Sequence, residues 1–480
     1  MKLLVKHTLV YLISKIIPAF STLLGIYLFT HSLMPDEYGK YSLTLTLGVG
    51  LGAVFYQWIN TSFLVLYREY IDKESDFLSS VFISFFFISL IIAIINVVCS
   101  HYFNEYNKAI VLDLVGITII CNGWFLINQT FSNARLKPKE YAFSLAIKSI
   151  CTTLFGYAAI KYGFGIDGVL WVTAVIFIIS VFNNIRPWFK ADINKIDFNI
   201  IKSLMSYGGP LTITFLMTFL LSFSNRFIIS KMLDNASVGV FSVSYDMANY
   251  MIFTICGAMH LAGLPLILNE YKINGIRGCK KQLTFSFNLV FMISTAVVFG
   301  IIFVSREIVE LFIGDAYKNV SFILLPILSI GFWFNSLKSY YFDYAFQIAK
   351  DTKNQVISPV VAVITLIVFS PFLIKIFGVE GAAYANVISF LVYMLMCVFL
   401  GKKAFDMPKI PWINCLKVII AVIGMYISIS MITLNNNKIG LFLKIFIGGG
   451  SYFSLLYLMN YLNIRTLELK SIFMRVKQRR

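Results

Sequence analysis

Five cationic side chains lie inside long apolar runs of this 480-residue chain, where a charge is costly. They are Lys15, Lys148, Arg226, Lys338 and Lys417. Lys417 stands about one turn inside its run and can reach the membrane surface, whereas the other four need a cavity, a partner or the interface. A lysine ammonium attracts an anion as a point charge, and an arginine guanidinium can hold it through two parallel hydrogen bonds. The four residues therefore predict a binding site for an anionic ligand.

Three acidic residues also lie within apolar runs, and the alternative is that each neutralises a cation or takes part in charge coupling. They are Asp113, Asp246 and Asp343. By helix rise, Lys148 lies near the middle of its run, and Asp113, the spanning acid of the N-terminal half, lies about 10 Å toward the outer end. Direct contact over that distance cannot neutralise both Lys15 and Lys148. We therefore expect the two lysines to face a hydrated cavity.

Among the apolar runs, the one at residues 319–347 contains the most polar side chains. Asn335, Ser339 and Asp343 recur every four residues and therefore share one stripe of a helix, with Lys338 on its other side. We interpret Asn335 and Ser339 as part of the same binding path as the cations. The alternative is hydrogen bonding between helices inside a closed bundle, a common role of Ser and Asn in membranes.

The composition places these residues in a membrane protein. Hydrophobic residues make up 59% of the chain and charged residues 13%, so the polar surface of a soluble globule is missing. The net charge of +17 falls in short clusters between apolar runs, which argues against nucleic-acid binding. The seven cysteines have no CxxC spacing and the four histidines no metal-ligand spacing, so we expect neither a metal nor a cofactor.

The chain is predicted to be an all-α integral membrane protein with about 14 transmembrane helices, each needing about 20 apolar residues. The runs lie at residues 8–30, 41–66, 77–100, 107–133, 140–160, 166–185, 203–230, 237–265, 281–304, 319–347, 354–374, 380–400, 412–433 and 439–462. Most of the 40 Lys and Arg residues fall in the connectors on one side. Because positive charge resists translocation, both termini are predicted to be cytoplasmic.

Two short motifs recur about two hundred residues apart. EYGKYSL at 37–43 and SVGVFSV at 237–243 share a glycine, an aromatic residue and a serine, and GIDG at 165–168 is echoed by GVEG at 378–381. Six predicted spans separate each pair, so the halves are predicted to be parallel six-helix repeats, with a substrate path between them. The expected division is an N-terminal lobe at 1–200, a C-terminal lobe at 201–405, and helices 13 and 14 with a basic cytoplasmic tail at 406–480.

The first helix of each predicted half contains one proline. These are Pro18, near the start of the chain, and Pro210, after a glycine pair. Proline removes a backbone donor and can kink a helix. We therefore predict hinges at Pro18 and Pro210.

The segment 203–233, SLMSYGGPLTITFLMTFLLSFSNRFIISKML, resembles the part of polysaccharide-transport proteins in which a Tyr-Gly-x-Pro entry leads to a polar-Arg pair. SLMPDEYGKYSLTLT at 32–46 is similar to the family's Glu-Tyr-Gly-x-Tyr turn. The resemblance covers essentially the whole chain and points to bacterial O-antigen and capsule flippases of the multidrug/oligosaccharidyl-lipid/polysaccharide exporter superfamily. The family often has Asp before the arginine, whereas this chain departs from that pattern with Asn225 before Arg226, so the resemblance carries over no acid-based role at this position.

The resemblance implies a flippase that carries an undecaprenyl-diphosphate-linked oligosaccharide across the bacterial cytoplasmic membrane by alternating access. It implies contact with membrane lipid, a proton or sodium ion as the coupling ion, and glycan polymerase and chain-length machinery as partners. The alternatives are a cation-coupled drug exporter, a peptidoglycan-precursor flippase and a membrane glycosyltransferase or polymerase. The exporter usually carries deep acids, and the enzyme needs catalytic motifs that this sequence lacks.

Overall fold

The computed structural model describes residues 2–102, 106–349, 351–432 and 437–463. Within these ranges the side chains of residues 2–15, 106–112 and 437–438 and of some single positions, among them Pro210, lie outside the description. The structure is 90% helical and has no strand in its described part. The prediction of an all-α membrane protein is confirmed.

The α-helices begin and end as follows. They are α1 Lys2–Thr30, α2 Pro35–Leu66, α3 Glu74–Tyr102, α4 Tyr106–Ala134, α5 Pro138–Lys161, α6 Gly165–Ile179, α7 Phe198–Met232, α8 Asn235–Phe303, α9 Ser305–Phe312, α10 Asp315–Leu337, α11 Tyr344–Ala349, α12 Thr352–Phe377, α13 Val379–Ala404, α14 Trp412–Ser430 and α15 Asn437–Leu458. Gly275, with φ +61°, breaks α8 into two helical arms. Eleven helices in the described residues are long and apolar enough to span a membrane, and the count of 14 stays a prediction.

The chain divides into two compact units. The first comprises residues 1–243 and 366–382, and the second comprises residues 244–365 together with the chain from residue 383. The first unit therefore holds α1 to α7, the first turns of α8, the end of α12 and the first turn of α13. The second holds most of α8, α9 to α11, the start of α12, most of α13, and α14 and α15. The predicted boundaries near residues 200 and 405 stay predictions.

Glycines let α2 pack closely within the first unit. A Cβ at Gly48 would lie 2.6 Å from the Thr118 side chain of α4, and one at Gly50 would lie 2.0 Å from the Phe219 ring of α7. Small residues permit such backbone approach between membrane helices, where lipid and protein are equally apolar. The sequence GVGLG therefore fixes α2 between α4 and α7.

In the first unit, the two glycines of each repeated motif have the same backbone feature, either a close helix contact or a positive φ. A Cβ at Gly39 would lie 1.8 Å from the carbonyl oxygen of Asn235, and a Cβ at Gly239 would lie 2.1 Å from that of Pro35, a reciprocal contact between α2 and α8. Gly165 and Gly378 both have positive φ, +57° and +60°, at the starts of α6 and α13. Only glycine adopts this conformation without strain. The echoes in the sequence thus have common physical causes, and the larger six-helix repeat stays a prediction.

The connector between α6 and α7, residues 180–197, is tied to the starts of α3 and α7. Ser80 Oγ accepts the Asp197 backbone N–H at 3.1 Å, and Lys190 pairs with Glu74 at 2.6 Å. Glu74 also accepts from the Tyr67 hydroxyl at 2.8 Å, and burial beside this carboxylate raises the pKa of Tyr67. Trp188 closes the connector through a 2.9 Å bond from its Nε1 to Asn128 Oδ1. These bonds fix where α7 starts.

Candidate functional site

Lys148 of α5 lies between two phenyl rings. Its Nζ is 4.8 Å from the ring centroid of Phe125 on α4 and 4.8 Å from that of Phe177 on α6. The ring faces attract the ammonium through their quadrupoles. Among the described residues no carboxylate pairs with Lys148. This cation is therefore held in a membrane helix without a neutralising acid.

Hydroxyl groups set the position of Lys148 by joining α5 to α1. Ser21 Oγ donates to the Ser149 carbonyl at 2.7 Å, and Thr153 Oγ1 donates to the Ser21 carbonyl at 3.1 Å. Gly25 leaves room for this contact, because a Cβ there would lie 3.3 Å from Thr153 Oγ1. Hydrogen bonds of this kind between spanning helices fix rotation about the helix axis. They fix the direction in which Lys148 leaves α5.

Asp113 does not neutralise Lys148. It is exposed, and its Oδ1 accepts a hydrogen bond from Asn96 Nδ2 at 3.0 Å. Lys15 lies in α1, but its side chain is outside the described residues, so its predicted role stays a prediction.

Arg226 of α7 is directed at α2. Its Nη1 donates to Ser42 Oγ at 2.9 Å and to Thr46 Oγ1 at 2.7 Å, and its guanidinium lies 5.2 Å from the Phe223 ring centroid. Only 4% of the residue is exposed, so snorkelling to the interface does not describe Arg226. Its predicted binding role stays a prediction. Sequence reasoning singled out Ser42 as part of the repeat but gave no sign that it contacts Arg226.

Asn225, which stands where the family often has Asp, uses both halves of its amide. Its Nδ2 donates to the Ala382 carbonyl at 2.9 Å, and its Oδ1 accepts from Ser370 Oγ at 2.6 Å. The residue is 1% exposed. An ionised Asp has no hydrogen to donate to a carbonyl. The amide therefore matches both contacts, which an ionised carboxylate cannot do.

Lys338 forms a buried ion pair with Asp343 in the second unit. Its Nζ lies 2.9 Å from Asp343 Oδ2 and donates to the Tyr393 hydroxyl at 2.6 Å. The Nζ is also 3.9 Å from the Tyr393 ring centroid. Asp343 Oδ1 accepts from Cys397 Sγ at 3.4 Å. Lys338 therefore pairs with an acidic side chain in this structure, the charge-neutralising arrangement that the sequence left as the alternative.

The placement of Lys338 and Asp343 on different sides of their helix was wrong. Residues Lys338–Phe342 form a π-helical turn, in which Asp343 N–H donates to the Lys338 carbonyl at 3.0 Å. In a regular α-helix two positions five residues apart differ by about 140° around the axis. The wider turn brings the two side chains to the same side. Such turns occur often at functional sites.

Other polar side chains of this region bond to one another. Ser339 Oγ donates to Asn335 Oδ1 at 3.4 Å, so the four-residue stripe survives for these two residues. The ring of His260 on α8 stacks on that of Tyr344 at 5.3 Å, and its Nδ1 lies 3.2 Å from the Tyr344 hydroxyl. The binding roles of Asn335 and Ser339 stay predictions. Tyr393, which completes the Lys338 site, carries no sequence signal because it comes from a distant helix.

The remaining candidates lie on described helices. Pro18 lies inside α1, which continues through it, and the Pro18 carbonyl accepts from Thr22 Oγ1 at 2.9 Å. Asp246 is partly buried on α8. Pro210 lies in α7, and its side chain is outside the described residues. No group of three or more His, Cys, Asp or Glu residues that could hold a metal occurs in the part of the chain that was described.

Comparisons with known proteins agree with this architecture. The family model described as "Polysaccharide biosynthesis protein" matches residues 31–322. The "Putative O-antigen transporter" of Shigella flexneri is 20% identical over 396 residues, which cover 79% of this chain and 93% of that protein.

Solved structures share the fold. The lipid II flippase MurJ, in an inward closed conformation, has a TM-score of 0.79 at 18% identity, over 96% of this chain and 100% of that chain. An inward-facing multidrug resistance MATE family transporter of the MOP superfamily has a TM-score of 0.58 at 16% identity, over 82% of this chain and 97% of that chain. At these identities the likeness shows the fold alone.

Proposed function

Because the chain belongs to the polysaccharide biosynthesis protein family, whose model matches more than half of it, we propose that it is a flippase for lipid-linked glycans. The substrate is an undecaprenyl-diphosphate-linked oligosaccharide repeat unit of an O-antigen or similar surface glycan. The protein moves it across the bacterial cytoplasmic membrane by alternating access, with both of its own termini in the cytoplasm. The family match carries this proposal, and the similarity to an O-antigen transporter over most of both chains supports it.

The environment of Lys148 supports an anionic substrate. An ammonium that contacts aromatic rings and no described carboxylate has no anionic partner of its own, so an anionic ligand could balance its charge. A diphosphate supplies the complementary charge, and the lipid tail stays in the bilayer. The same observation disfavours the cation-coupled drug exporter, since a cationic drug would be repelled by this residue. A proton or sodium ion as the coupling ion and an association with glycan polymerase remain part of the proposal.

The fold of MurJ favours one second candidate, a flippase for the peptidoglycan lipid precursor, which carries a similar diphosphate. Deleting the gene and analysing lipid-linked glycans separates the two. We expect undecaprenyl-linked repeat units to accumulate on the cytoplasmic face while peptidoglycan synthesis continues. Accumulation of the peptidoglycan precursor would favour the second candidate, and unchanged glycan lipids with altered drug tolerance would favour the exporter.

Complementation with Lys148 variants tests the binding group. Lys148→Ala should lower surface glycan about tenfold or more at unchanged protein level, as expected for the loss of a charge-assisted contact. Lys148→Arg should retain partial export because it keeps the charge. Lys417→Ala is the matched control, since Lys417 also lies in a spanning helix, at its end, and should export normally. Export by Lys148→Ala at the level of the control would reject the role of Lys148.

A further inference from the structure

The buried Lys338–Asp343 pair cannot bind an anion as it stands. Lys338 is 5% exposed and Asp343 is 7% exposed, and the ammonium already contacts the Asp343 carboxylate and the Tyr393 hydroxyl. A phosphate oxygen could reach Lys338 only by taking the place of the carboxylate. An ionised Asp343 displaced in this way would be a buried charge without a partner, which is strongly unfavourable.

Protonation removes that cost. If Asp343 takes up a proton while a phosphate oxygen takes its place at Lys338, the buried site holds one positive and one negative charge before and after the exchange. A proton alone would leave Lys338 uncompensated, and an anion alone would leave Asp343 uncompensated. The two binding events must therefore favour each other, and by linkage the effect is reciprocal.

Four titratable groups face Asp343, which takes up the proton in this exchange. The groups that face it are Lys338 from its own helix, Tyr393 and Cys397 from α13, and His260 from α8. His260 is already in contact with the Tyr344 hydroxyl. Asp343 is the only carboxylate among these described neighbours. The exchange transfers one proton from water to its carboxylate, while Lys338 stays an ammonium throughout.

The π-helical turn provides an element that can open the pair. The pair depends on the wide turn over Lys338–Phe342, because an α-helical turn would separate the two side chains by about 140°. A local return toward α-helical hydrogen bonding would thus withdraw Asp343 from Lys338.

We infer that Lys338 and Asp343 form a proton-linked phosphate site, in which Asp343 is protonated in the same step as a phosphate oxygen binds Lys338. The inference rests on the proposed function for the identity of the phosphate, the diphosphate of the lipid carrier. It assigns to the second unit a binding group distinct from Lys148. It also predicts that phosphate binding weakens as pH rises, because the bound state holds one more proton.

The test uses the full-length protein in lipid nanodiscs with inorganic pyrophosphate as the probe. Pyrophosphate also titrates, so its own pH dependence is measured with Asp343→Asn, in which Lys338 has no carboxylate to exchange. We expect the wild-type affinity to fall with pH more steeply than that of Asp343→Asn, by up to about tenfold per pH unit for one linked proton. Calorimetry in buffers of different ionisation enthalpy should show one additional proton taken up by the wild type.

Equal pH slopes for the two proteins, or no binding of pyrophosphate by the wild type at any pH, would reject the site. If Asp343→Asn does not fold, the wild type alone decides, because infrared difference spectra should show a protonated carboxyl band on addition of pyrophosphate. Lys338→Met with Asp343→Asn replaces both charges, should fold, and should lose that band. Normal glycan export together with absent proton linkage would refute this inference and leave the proposed function standing.

Discussion

Replacing Gly39 with alanine tests the reciprocal contact between α2 and α8. The new Cβ would lie 1.8 Å from the Asn235 carbonyl oxygen, whereas ordinary van der Waals contact begins at 3.4 Å. The two backbones would have to separate by about 1.6 Å, because a carbonyl oxygen cannot rotate away as the end of a long side chain can. We expect a loss of about 1–3 kcal/mol of stability, the usual cost of overpacking.

Helix propensity works in the opposite direction and sharpens the test. Alanine in place of a helical glycine is favourable by up to about 1 kcal/mol, so a net loss must come from the contact. Gly300→Ala is the matched control, because Gly300 also lies inside a helix, α8, and apart from the adjacent backbone of that helix no atom lies within 4 Å of its Cβ position. Thermal unfolding of the purified proteins in the same detergent should give a lower midpoint for Gly39→Ala and an unchanged or higher one for Gly300→Ala.

The reciprocity of the contact adds a double-mutant measurement. Gly39→Ala and Gly239→Ala both force the same two helices apart, so the second substitution should cost less when the first is present. Equal midpoints for Gly39→Ala and Gly300→Ala would refute the close approach. Fully additive costs for the two glycines would refute the view that they share one contact.

One further substitution and one deletion test contacts that the sequence did not reveal. Asn225→Asp should destabilise the protein by about 1–3 kcal/mol, because a carboxylate cannot donate to the Ala382 carbonyl, and thermal unfolding against Asn225→Gln should show it. Deleting Ser339 should remove the π-helical turn and keep the ion pair, since Lys338 and Asp343 then stand four residues apart as in an α-helix. The deletion should therefore unfold at a higher temperature than Asp343→Asn, which breaks a buried pair at a cost of about 3–5 kcal/mol, and equal midpoints would show that the turn itself is required.

The sequence by itself determined the environment and class of the chain. Its low fraction of charged residues indicates a lipid environment. In lipid, the backbone can satisfy its hydrogen bonds only within helices or closed barrels. Long apolar runs without the two-residue alternation of a barrel strand then select helices. The repeated glycines could also be recognised in the sequence. A close backbone contact such as that of Gly39, or a positive φ such as that of Gly165, is compatible with few residues other than glycine.

The partners of the charged residues were decided only by the tertiary structure. Lys148 contacts phenyl rings from α4 and α6. In a sequence, a phenylalanine that contacts a cation cannot be told from one that only packs in the core. The sequence analysis placed Lys338 and Asp343 on different sides of the helix because it assumed a fixed period of about 3.6 residues per turn. The π-helical turn contains one more residue, which shifts every later side chain by about 100° around the axis. The sequence marks neither effect, because both depend on hydrogen bonds and contacts that form only when distant helices pack together.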